Sequence, residues 1–205
     1  MNTKETRHEQ LKALILKYSL QHGDTDFDLA SGLSSKVYID AKSVTCRAEG
    51  TKLVGRVFLD KIAELGWNPV AVGGLSVGAD PIVIAIARES TERPFRPVNA
   101  FFVRKEAKKH GLHKLVEGIA EPTNGMPVVI VDDVCTTGGS TATAIGHARK
   151  EGMKVIGVIC MVDRETGAAS TMTELDCPFA SIFTLSELLA AEDQPDLEPV
   201  TASAA

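Results

Sequence analysis

Hydrophobic residues return along this chain with two different periods. Recurrence every three or four positions is typical of amphipathic helices, and it predicts helices at about 5–21, 53–65, 77–88, 139–150 and 186–190. Short runs rich in Val, Ile and Phe between turn residues predict strands. These runs lie at 27–30, 37–40, 69–72, 98–103, 128–131, 155–162 and 179–183. We expect Gly23 to end the first helix, because glycine readily forms a helix C-terminus.

The strand at 128–131 is apolar at every position, which indicates burial on both faces, as in a parallel sheet. Strands and helices alternate on either side of it. This order predicts an α/β fold with a central, mainly parallel sheet flanked by helices. The length of 205 residues suits a single domain, which we place at 1–191. Residues 192–205 form an acidic tail with proline and alanine, and we expect it to be disordered.

Composition argues against several classes of function. The 27 acidic residues outnumber the 22 basic ones, and the net charge of −5 does not favour a nucleic-acid partner. The longest apolar run, 81–87, is far below the ~18 residues that suggest a membrane span. The first ten residues are polar and show no signal peptide, and the four cysteines lie too far apart for a zinc or disulfide pattern. We therefore expect a cytoplasmic protein with neither a nucleic-acid nor a membrane partner.

Chemistry is concentrated where the strand at 128–131 ends. Two adjacent carboxylates, Asp132 and Asp133, precede a loop rich in glycine and hydroxyl groups, which leads into the next helix. Ligands of open α/β sheets bind at such strand ends, and glycines beside a helix N-terminus favour anions. We call this loop the phosphate cradle; it consists of Thr136, Thr137, Gly138, Gly139 and Ser140. Thr141 is expected to add a further hydroxyl to it.

The two carboxylates would repel phosphate alone. They suit a ligand that also presents hydroxyls or a metal ion, as a ribose phosphate does. The segment is not a Walker loop, because no Gly-Lys-Ser or Gly-Lys-Thr follows. The alternative is a polar turn in which an aspartate caps the helix.

A cationic segment follows the strand at 98–103. It contains Arg104, Lys105, Lys108, Lys109 and His110, in a chain whose net charge is negative. Beside a phosphate cradle, such cations would stabilise the charge on a departing diphosphate. Taken alone, the segment would be a solvated charged face. A return strand at 114–118 would make it a mobile loop.

Two further turns lie at the same edge of the predicted sheet. Arg164 follows the strand at 155–162, and an arginine there can form a bidentate pair with a substrate carboxylate. The alternative is a surface arginine paired with Glu165. The glycine-rich turn at 72–80 is either a second anion site, built from backbone N–H groups, or a structural turn.

Four segments of the chain resemble segments of type I phosphoribosyltransferases, and among them the orotate phosphoribosyltransferase family. They occur along the chain in the same order as in the family. Residues 129–140 resemble the signature that binds phosphoribosyl diphosphate (PRPP), 104–111 the catalytic loop, and 163–165 the segment with the orotate-side arginine. The family's N-terminal segment is matched by Phe27, Leu29, Ser31, Gly32, Ser35, Tyr38 and Asp40. The chain departs from some members at Ala30 and Val77, where they carry lysine, and at the pair Tyr38-Ile39 beside the pyrimidine.

The resemblance implies a type I phosphoribosyltransferase fold with a small N-terminal hood at about 1–45 and a flexible catalytic loop. It implies transfer of the phosphoribosyl group of PRPP to orotate, which gives orotidine 5′-monophosphate and diphosphate in pyrimidine biosynthesis. It also implies a homodimer whose catalytic loops reach across the interface. The cofactor would be Mg²⁺, held by PRPP and not directly by the protein.

The resemblance also assigns roles to single residues. PRPP would be bound by the cradle and its neighbours, namely Asp132, Asp133, Val134, Cys135, Thr136, Thr137, Gly138, Gly139 and Ser140. The cradle would hold the 5′-phosphate, and Asp132 and Asp133 the ribose hydroxyls. Arg104, Lys105, Lys108 and His110 would neutralise the diphosphate. Lys108, Asp132 and Asp133 would be catalytic, and Thr136 and Arg164 would bind orotate.

Two other functions stay open at this point. The first is a type I transferase for a purine or another base, although a purine has no carboxylate for Arg164. The second is a regulator that senses PRPP without catalysis. Such a protein could keep the cradle and lose the cations, whereas Lys108 and His110 are both present here.

Overall fold

The computed structural model describes residues 3–29, 32–94, 96–106, 114–120 and 123–193. The helices of this part are α1 (Thr3–Tyr18), α2 (Lys42–Thr45), α3 (Ala48–Glu64), α4 (Asp80–Ser90), α5 (Gly139–Lys150), α6 (Ala168–Glu174) and α7 (Leu185–Glu192). The strands are β1 (Leu20–Asp28), β2 (Ser34–Ile39), β3 (Ala71–Leu75), β4 (Asn99–Val103), β5 (Val116–Glu117), β6 (Pro127–Cys135), β7 (Lys154–Asp163) and β8 (Phe179–Thr184). None of these helices is long and apolar enough to cross a bilayer.

A six-stranded sheet in the order β5-β4-β3-β6-β7-β8 forms the centre of the fold. Neighbouring strands are parallel except β4 and β5, which are antiparallel. β6 lies between β3 and β7, and residues 128–131 are fully buried in it, as their uniform apolar character predicts. The predicted α/β fold with a mainly parallel sheet is confirmed.

Helices cover both faces of this sheet. On one face, Val131 belongs to a core that includes Phe58 of α3 and Ile86 of α4. On the other face, Ile130 belongs to a core that includes Ile145 of α5. Full burial of each such side chain contributes about 1.5–3 kcal/mol. Because helices cover both faces, the strand ends are the part of the sheet that stays accessible to a ligand.

The first two strands form a separate antiparallel hairpin in the region where the sequence predicts the hood. We call β1 and β2 the hood hairpin. Leu20 pairs with Ile39 at its base and Phe27 with Ser35 near its tip. Ile39 belongs to the main core and Leu20 packs against that core, so the base of the hairpin is anchored to the sheet domain.

The predicted limits of the first helix and strand are wrong. α1 ends at Tyr18 and not at residue 21, and Gly23 lies inside β1 instead of ending the helix. The reason is pairing across the hairpin, because the backbone from Leu20 onward is hydrogen-bonded to β2. Gly23 is required for another reason, since a Cβ there would lie 2.6 Å from the carbonyl oxygen of Thr25.

Three further differences concern short elements and helix ends. The sequence pattern predicts neither α2 nor α6, because both are too short to show helical recurrence. α4 begins at Asp80 and not at residue 77, with Pro81 in its first turn, where proline needs no N–H partner. Of the tail predicted at 192–205, only Glu192, the last residue of α7, and Asp193 lie within the described residues.

Candidate active site

A cavity of about 430 Å³ opens at the carboxyl ends of β3 and β6. It is lined by Leu75, Lys105, Asp132, Val134, Cys135, Thr136, Thr137, Gly138, Gly139, Ser140 and Thr143. All five cradle residues and four of the other predicted PRPP-binding residues are therefore brought together. Sequence reasoning misses Thr143 and Leu75. The helical period from Gly139 could have indicated Thr143, whereas Leu75 requires the strand order.

The phosphate cradle is the turn between β6 and α5. Gly138 precedes the helix with φ +83°, a left-handed conformation that glycine adopts without strain. A Cβ at Gly138 would lie 3.0 Å from the methyl carbon of Met172 and 3.4 Å from Cα of Ala168. The first N–H groups of α5 have no partners within the helix. The turn therefore presents a helix N-terminus to the cavity, as an anion requires.

Asp132 forms the inner wall of the cavity and is 6% exposed. Its Oδ1 accepts a hydrogen bond from the Asp133 backbone N–H at 3.0 Å, and its Oδ2 accepts one from the Thr141 hydroxyl at 2.6 Å. Burial, reinforced by the charge of Asp133, raises the pKa of Asp132 to about 7, while the Thr141 hydrogen bond acts in the opposite direction. The two adjacent carboxylates therefore lie in different environments.

Asp133 lies beside this cavity and is not part of its lining. Its Oδ1 accepts from the Val134 N–H at 2.9 Å, and its Oδ2 lies 3.9 Å from Nζ of Lys42. A Cβ on Gly78 would come within 2.6 Å of the Asp133 carboxylate, so the glycine-rich turn after β3 packs directly against it. Sequence reasoning misses Lys42, because no local signal connects it to a residue so distant along the chain.

Thr141 does not join the cradle, contrary to the sequence-based expectation. It is 1% exposed, lies outside the cavity lining, and donates to Asp132 instead. The reason is the helical period, since Thr141 is two residues into α5 and faces the sheet.

Arg164 lies at the end of β7 and is 5% exposed, so its interpretation as a surface arginine paired with Glu165 is wrong. Its Nη2 donates to the Ser35 hydroxyl at 2.9 Å and to the Val37 carbonyl at 3.0 Å, both in the hood hairpin. We call Arg164, Ser35 and Val37 the arginine site. The backbone N–H of Arg164 donates to the Cys135 carbonyl at 2.9 Å, which places this site directly beside the cradle.

The arginine site keeps a free donor. Nε of Arg164 is buried and has no hydrogen-bond partner among the described residues. Burial lowers the pKa of Arg164, although a guanidinium stays protonated in proteins. A buried donor without an acceptor is costly, and a ligand carboxylate would satisfy it. Glu165 is engaged elsewhere, as its Oε2 accepts from the Ser186 backbone N–H at 2.9 Å.

The cationic segment is described only at its start. Lys105 lines the cavity. Nη1 of Arg104 lies 3.5 Å from the Glu117 carboxylate of β5, and Arg104 is not part of the cavity lining. Lys108 and His110 lie outside the described residues, so their role as a diphosphate clamp stays a prediction.

Comparison with known proteins identifies the family. Residues 42–180 match the model of the phosphoribosyl transferase domain. The chain is 42% identical to the orotate phosphoribosyltransferase of Aquifex aeolicus over 182 residues, which are 88% of this chain and 97% of that protein. It is 38% identical to the enzyme of the same name from Corynebacterium glutamicum over 179 residues, 87% of this chain and 92% of that protein. The chain belongs to the orotate phosphoribosyltransferase family.

Solved structures agree with this membership. Orotate phosphoribosyltransferase of Mycobacterium tuberculosis H37Rv, crystallised with PRPP, matches with a TM-score of 0.70 and 35% identity over 89% of this chain and 98% of that one. The enzyme of Aeropyrum pernix matches with a TM-score of 0.71 and 30% identity over 88% and 97%. Adenine phosphoribosyltransferase of Leishmania donovani has a TM-score of 0.60 at 18% identity over 92% of this chain and 86% of that one, which shows a shared fold alone. The type I phosphoribosyltransferase fold is thereby confirmed.

Proposed function

We propose that this family member transfers the phosphoribosyl group of PRPP to orotate and so forms orotidine 5′-monophosphate and diphosphate. The observation that carries this proposal is the buried Arg164, with a free Nε–H, beside the phosphate cradle. A carboxylate-bearing base supplies a charged acceptor for this donor, whereas a purine offers only neutral acceptors. The family relatives described above are named for this same activity.

In this reaction the bond between ribose C1 and the diphosphate oxygen breaks, and a bond from C1 to the orotate ring nitrogen forms. The cradle would hold the 5′-phosphate, because its helix N-terminus and hydroxyl groups complement an anion. Asp132 and Asp133 would accept hydrogen bonds from the ribose hydroxyls. When ionised, they would also favour the positive charge that develops on the ribose ring as the diphosphate departs.

The cationic segment would stabilise the leaving group. Lys105 already lines the cavity, and Arg104, Lys108 and His110 are proposed to join it around the diphosphate, with Lys108 having the largest effect. Orotate needs no dedicated base, because its ring already activates the attacking nitrogen. The protein therefore acts by positioning and electrostatic stabilisation.

We propose Mg²⁺ as the cofactor, bound through the oxygens of PRPP. Within the described ranges no group of three His, Cys, Asp or Glu could hold a metal ion, and both oxygens of Asp132 already accept hydrogen bonds from the protein. In this proposal the cradle would hold the ion indirectly, by binding the PRPP that carries it. When bound, the ion would neutralise charge on the diphosphate.

A homodimer with catalytic loops shared across the interface and a cytoplasmic location also remain proposals. Both come from the family resemblance and the sequence pattern. Analytical ultracentrifugation tests whether the protein is a dimer. The shared loop is tested by mixing Lys108→Ala subunits with Asp132→Asn subunits and assaying the mixture for recovered activity. Recovered activity in the mixture supports the shared loop. A mixture that is as inactive as the separate variants contradicts the shared loop.

The reaction itself is tested by the loss of orotate absorbance with purified protein, PRPP and Mg²⁺, with adenine, hypoxanthine and uracil in parallel. We expect loss of orotate that requires both PRPP and Mg²⁺. Turnover of another base instead would keep the cradle and discard the orotate site. Inactivity with all bases, despite measurable PRPP binding, would favour the sensor.

A further inference from the structure

A buried hydroxyl stands behind the Asp132 carboxylate. The Thr141 hydroxyl lies 2.6 Å from Oδ2 of Asp132, within the range of about 2.5–2.7 Å that is typical of hydrogen bonds from hydroxyls to ionised carboxylates. Thr141 is buried and does not line the cavity. Thr141 can therefore act on a substrate in that cavity through the lining residues it contacts, of which Asp132 is the closer at 2.6 Å and Cys135 the other.

The carboxylate sets the direction of this hydrogen bond, and a thiol lies beside both groups. Sγ of Cys135 lies 3.3 Å from the Thr141 oxygen and 3.9 Å from Oδ2 of Asp132. A hydroxyl has one proton to give, and the carboxylate is the stronger acceptor. Thr141 therefore donates to Asp132 and can accept from the Cys135 thiol, which makes a short chain of donors that ends at the carboxylate.

We propose that Thr141 is a positioning residue for the transfer reaction, which orients the Asp132 carboxylate toward the ribose and favours its ionised form. This inference rests on the proposed function, because it assigns Asp132 a role at the ribose. Thr141 itself touches neither substrate nor reacting atoms.

The charges around Asp132 show why such a donor is needed. Asp133 adds a negative charge on the same strand, and burial also opposes ionisation. Across the sheet, Asp132 pairs with Cys160 of β7, a buried thiol whose own pKa is raised by burial and by the Cys135 thiol beside it. Asp163 adds to the negative charge near Cys160. Two cations lie nearby: Lys105 lines the same cavity, and Lys42 contacts Asp133.

Against these groups, Asp132 has two close donors among the described residues, the Thr141 hydroxyl and the Asp133 backbone N–H, and a longer contact of 3.9 Å with the Cys135 thiol. The backbone donor cannot be removed by a side-chain change. Thr141 is therefore the donor whose loss reports on the ionisation of Asp132.

The test is the pH dependence of kcat/KM for PRPP in Thr141→Val, which replaces the hydroxyl with a methyl group of similar size, and in Thr141→Ser, which keeps the hydroxyl. We expect the acidic limb of the Thr141→Val profile to move up by about 1–2 pH units, the size of one lost hydrogen bond to a charged group. The Thr141→Ser limb should stay within ~0.3 pH unit of wild type. An unmoved limb in Thr141→Val, or an equal shift in both variants, would overturn the proposal.

A control variant and a titration without turnover complete the test. Thr45→Val is the matched control, since Thr45 is buried and its hydroxyl has no partner among the described residues, so its pH profile should match wild type. The titration of Asp132, followed by carboxyl ¹³C NMR in the ligand-free proteins, should show the same upward shift without any turnover. Absence of that NMR shift contradicts the role of Thr141, whereas inactivity of the wild type with orotate contradicts the proposed function. If Thr141→Val does not fold, Cys135→Ala should shift the NMR titration upward by a smaller amount, and no shift would count against the proposal.

Discussion

The phosphate cradle and the arginine site lie side by side at one sheet edge but are built in different ways. The cradle is a single turn of five consecutive residues, and its glycine conformation and helix N-terminus come from the local backbone. The arginine site joins Arg164 to Ser35 and Val37, 129 and 127 residues away, through side-chain hydrogen bonds. A backbone hydrogen bond from Arg164 to Cys135, the residue before the cradle, holds the two sites side by side.

This difference divides the proposed reaction into two recognition problems. In the proposed reaction, binding of the phosphoribosyl group would use the local turn. Recognition of the base would use a guanidinium that is hydrogen-bonded to a separate hairpin. Changes at the hood should therefore alter the choice of base and leave PRPP binding intact.

The largest effect is expected from Asp132→Asn, which removes the charge of the cradle's inner wall. We expect turnover to fall about 10²–10³-fold, as for loss of a group that stabilises the transition state. The folded state of the variant should, in contrast, be more stable than that of the wild type at neutral and higher pH. Because the pKa of Asp132 is raised from 3.8 to about 7 in the folded protein, the folded state binds more protons than the unfolded state between these values, and stability falls as pH rises through this window.

Asp132→Asn should therefore be more stable than wild type above pH 7, on the order of 4 kcal/mol, with the difference vanishing toward pH 4. Thermal unfolding at pH 8 and pH 4 measures this. A variant that is less stable than wild type at pH 8 would contradict the conclusion that burial of the ionised Asp132 carboxylate destabilises the folded protein.

The next effect is expected at the cradle backbone. Gly138→Val places a β-branched residue at φ +83° and pushes against Met172. We expect kcat/KM for PRPP to fall roughly 10²-fold, because a small misplacement of the phosphate site is enough for such a loss. Gly125→Val is the control, since Gly125 has φ +73° but nothing within 4 Å of its Cβ position. Equal losses of kcat/KM in both variants would show that the effect is general destabilisation.

The arginine site is tested by Arg164→Ala. We expect the dissociation constant for orotate to rise roughly 10- to 100-fold, as for loss of a charge-assisted hydrogen bond, and that for PRPP to change less than ~3-fold. Arg164→Lys keeps the charge without the planar fork, and should recover little of the orotate affinity. Isothermal titration that finds equal losses for orotate and PRPP would remove the assignment.

The smallest effect is expected in the hood. Ser35→Ala removes one of the two acceptors that hold Nη2 of Arg164. The Val37 carbonyl remains, so KM for orotate should rise only about 2- to 5-fold, while KM for PRPP stays unchanged. A change in KM for PRPP alone would contradict the separation of the two sites.

The same contrast explains what the sequence predicts well. The buried strand 128–131, the cradle turn and the helix that follows are contiguous, so their pattern is readable and the structure confirms it. Contacts between distant segments are not readable in this way. Lys42 beside Asp133, Ser35 against Arg164 and Leu75 in the cavity wall depend on strand order and on the docking of the hood.

Errors in the sequence-based description have the same origin. Gly23 reads locally as a helix end, but pairing of β1 with β2 overrides that signal. Thr141 reads locally as another phosphate donor, but the helix rotates it toward Asp132. In both cases a partner elsewhere in the structure decides what the residue does.

The central claim is that the cradle binds the phosphate and the arginine site binds the base. It is tested most directly by a crystal structure of the wild-type protein with orotidine 5′-monophosphate, which carries both groups and does not react without diphosphate. We predict that the 5′-phosphate lies against residues 136–140 and that the pyrimidine carboxylate lies within hydrogen-bond distance of Arg164. A phosphate in the cradle with the carboxylate pointing away from Arg164, or a nucleotide bound in the reverse direction, would contradict it.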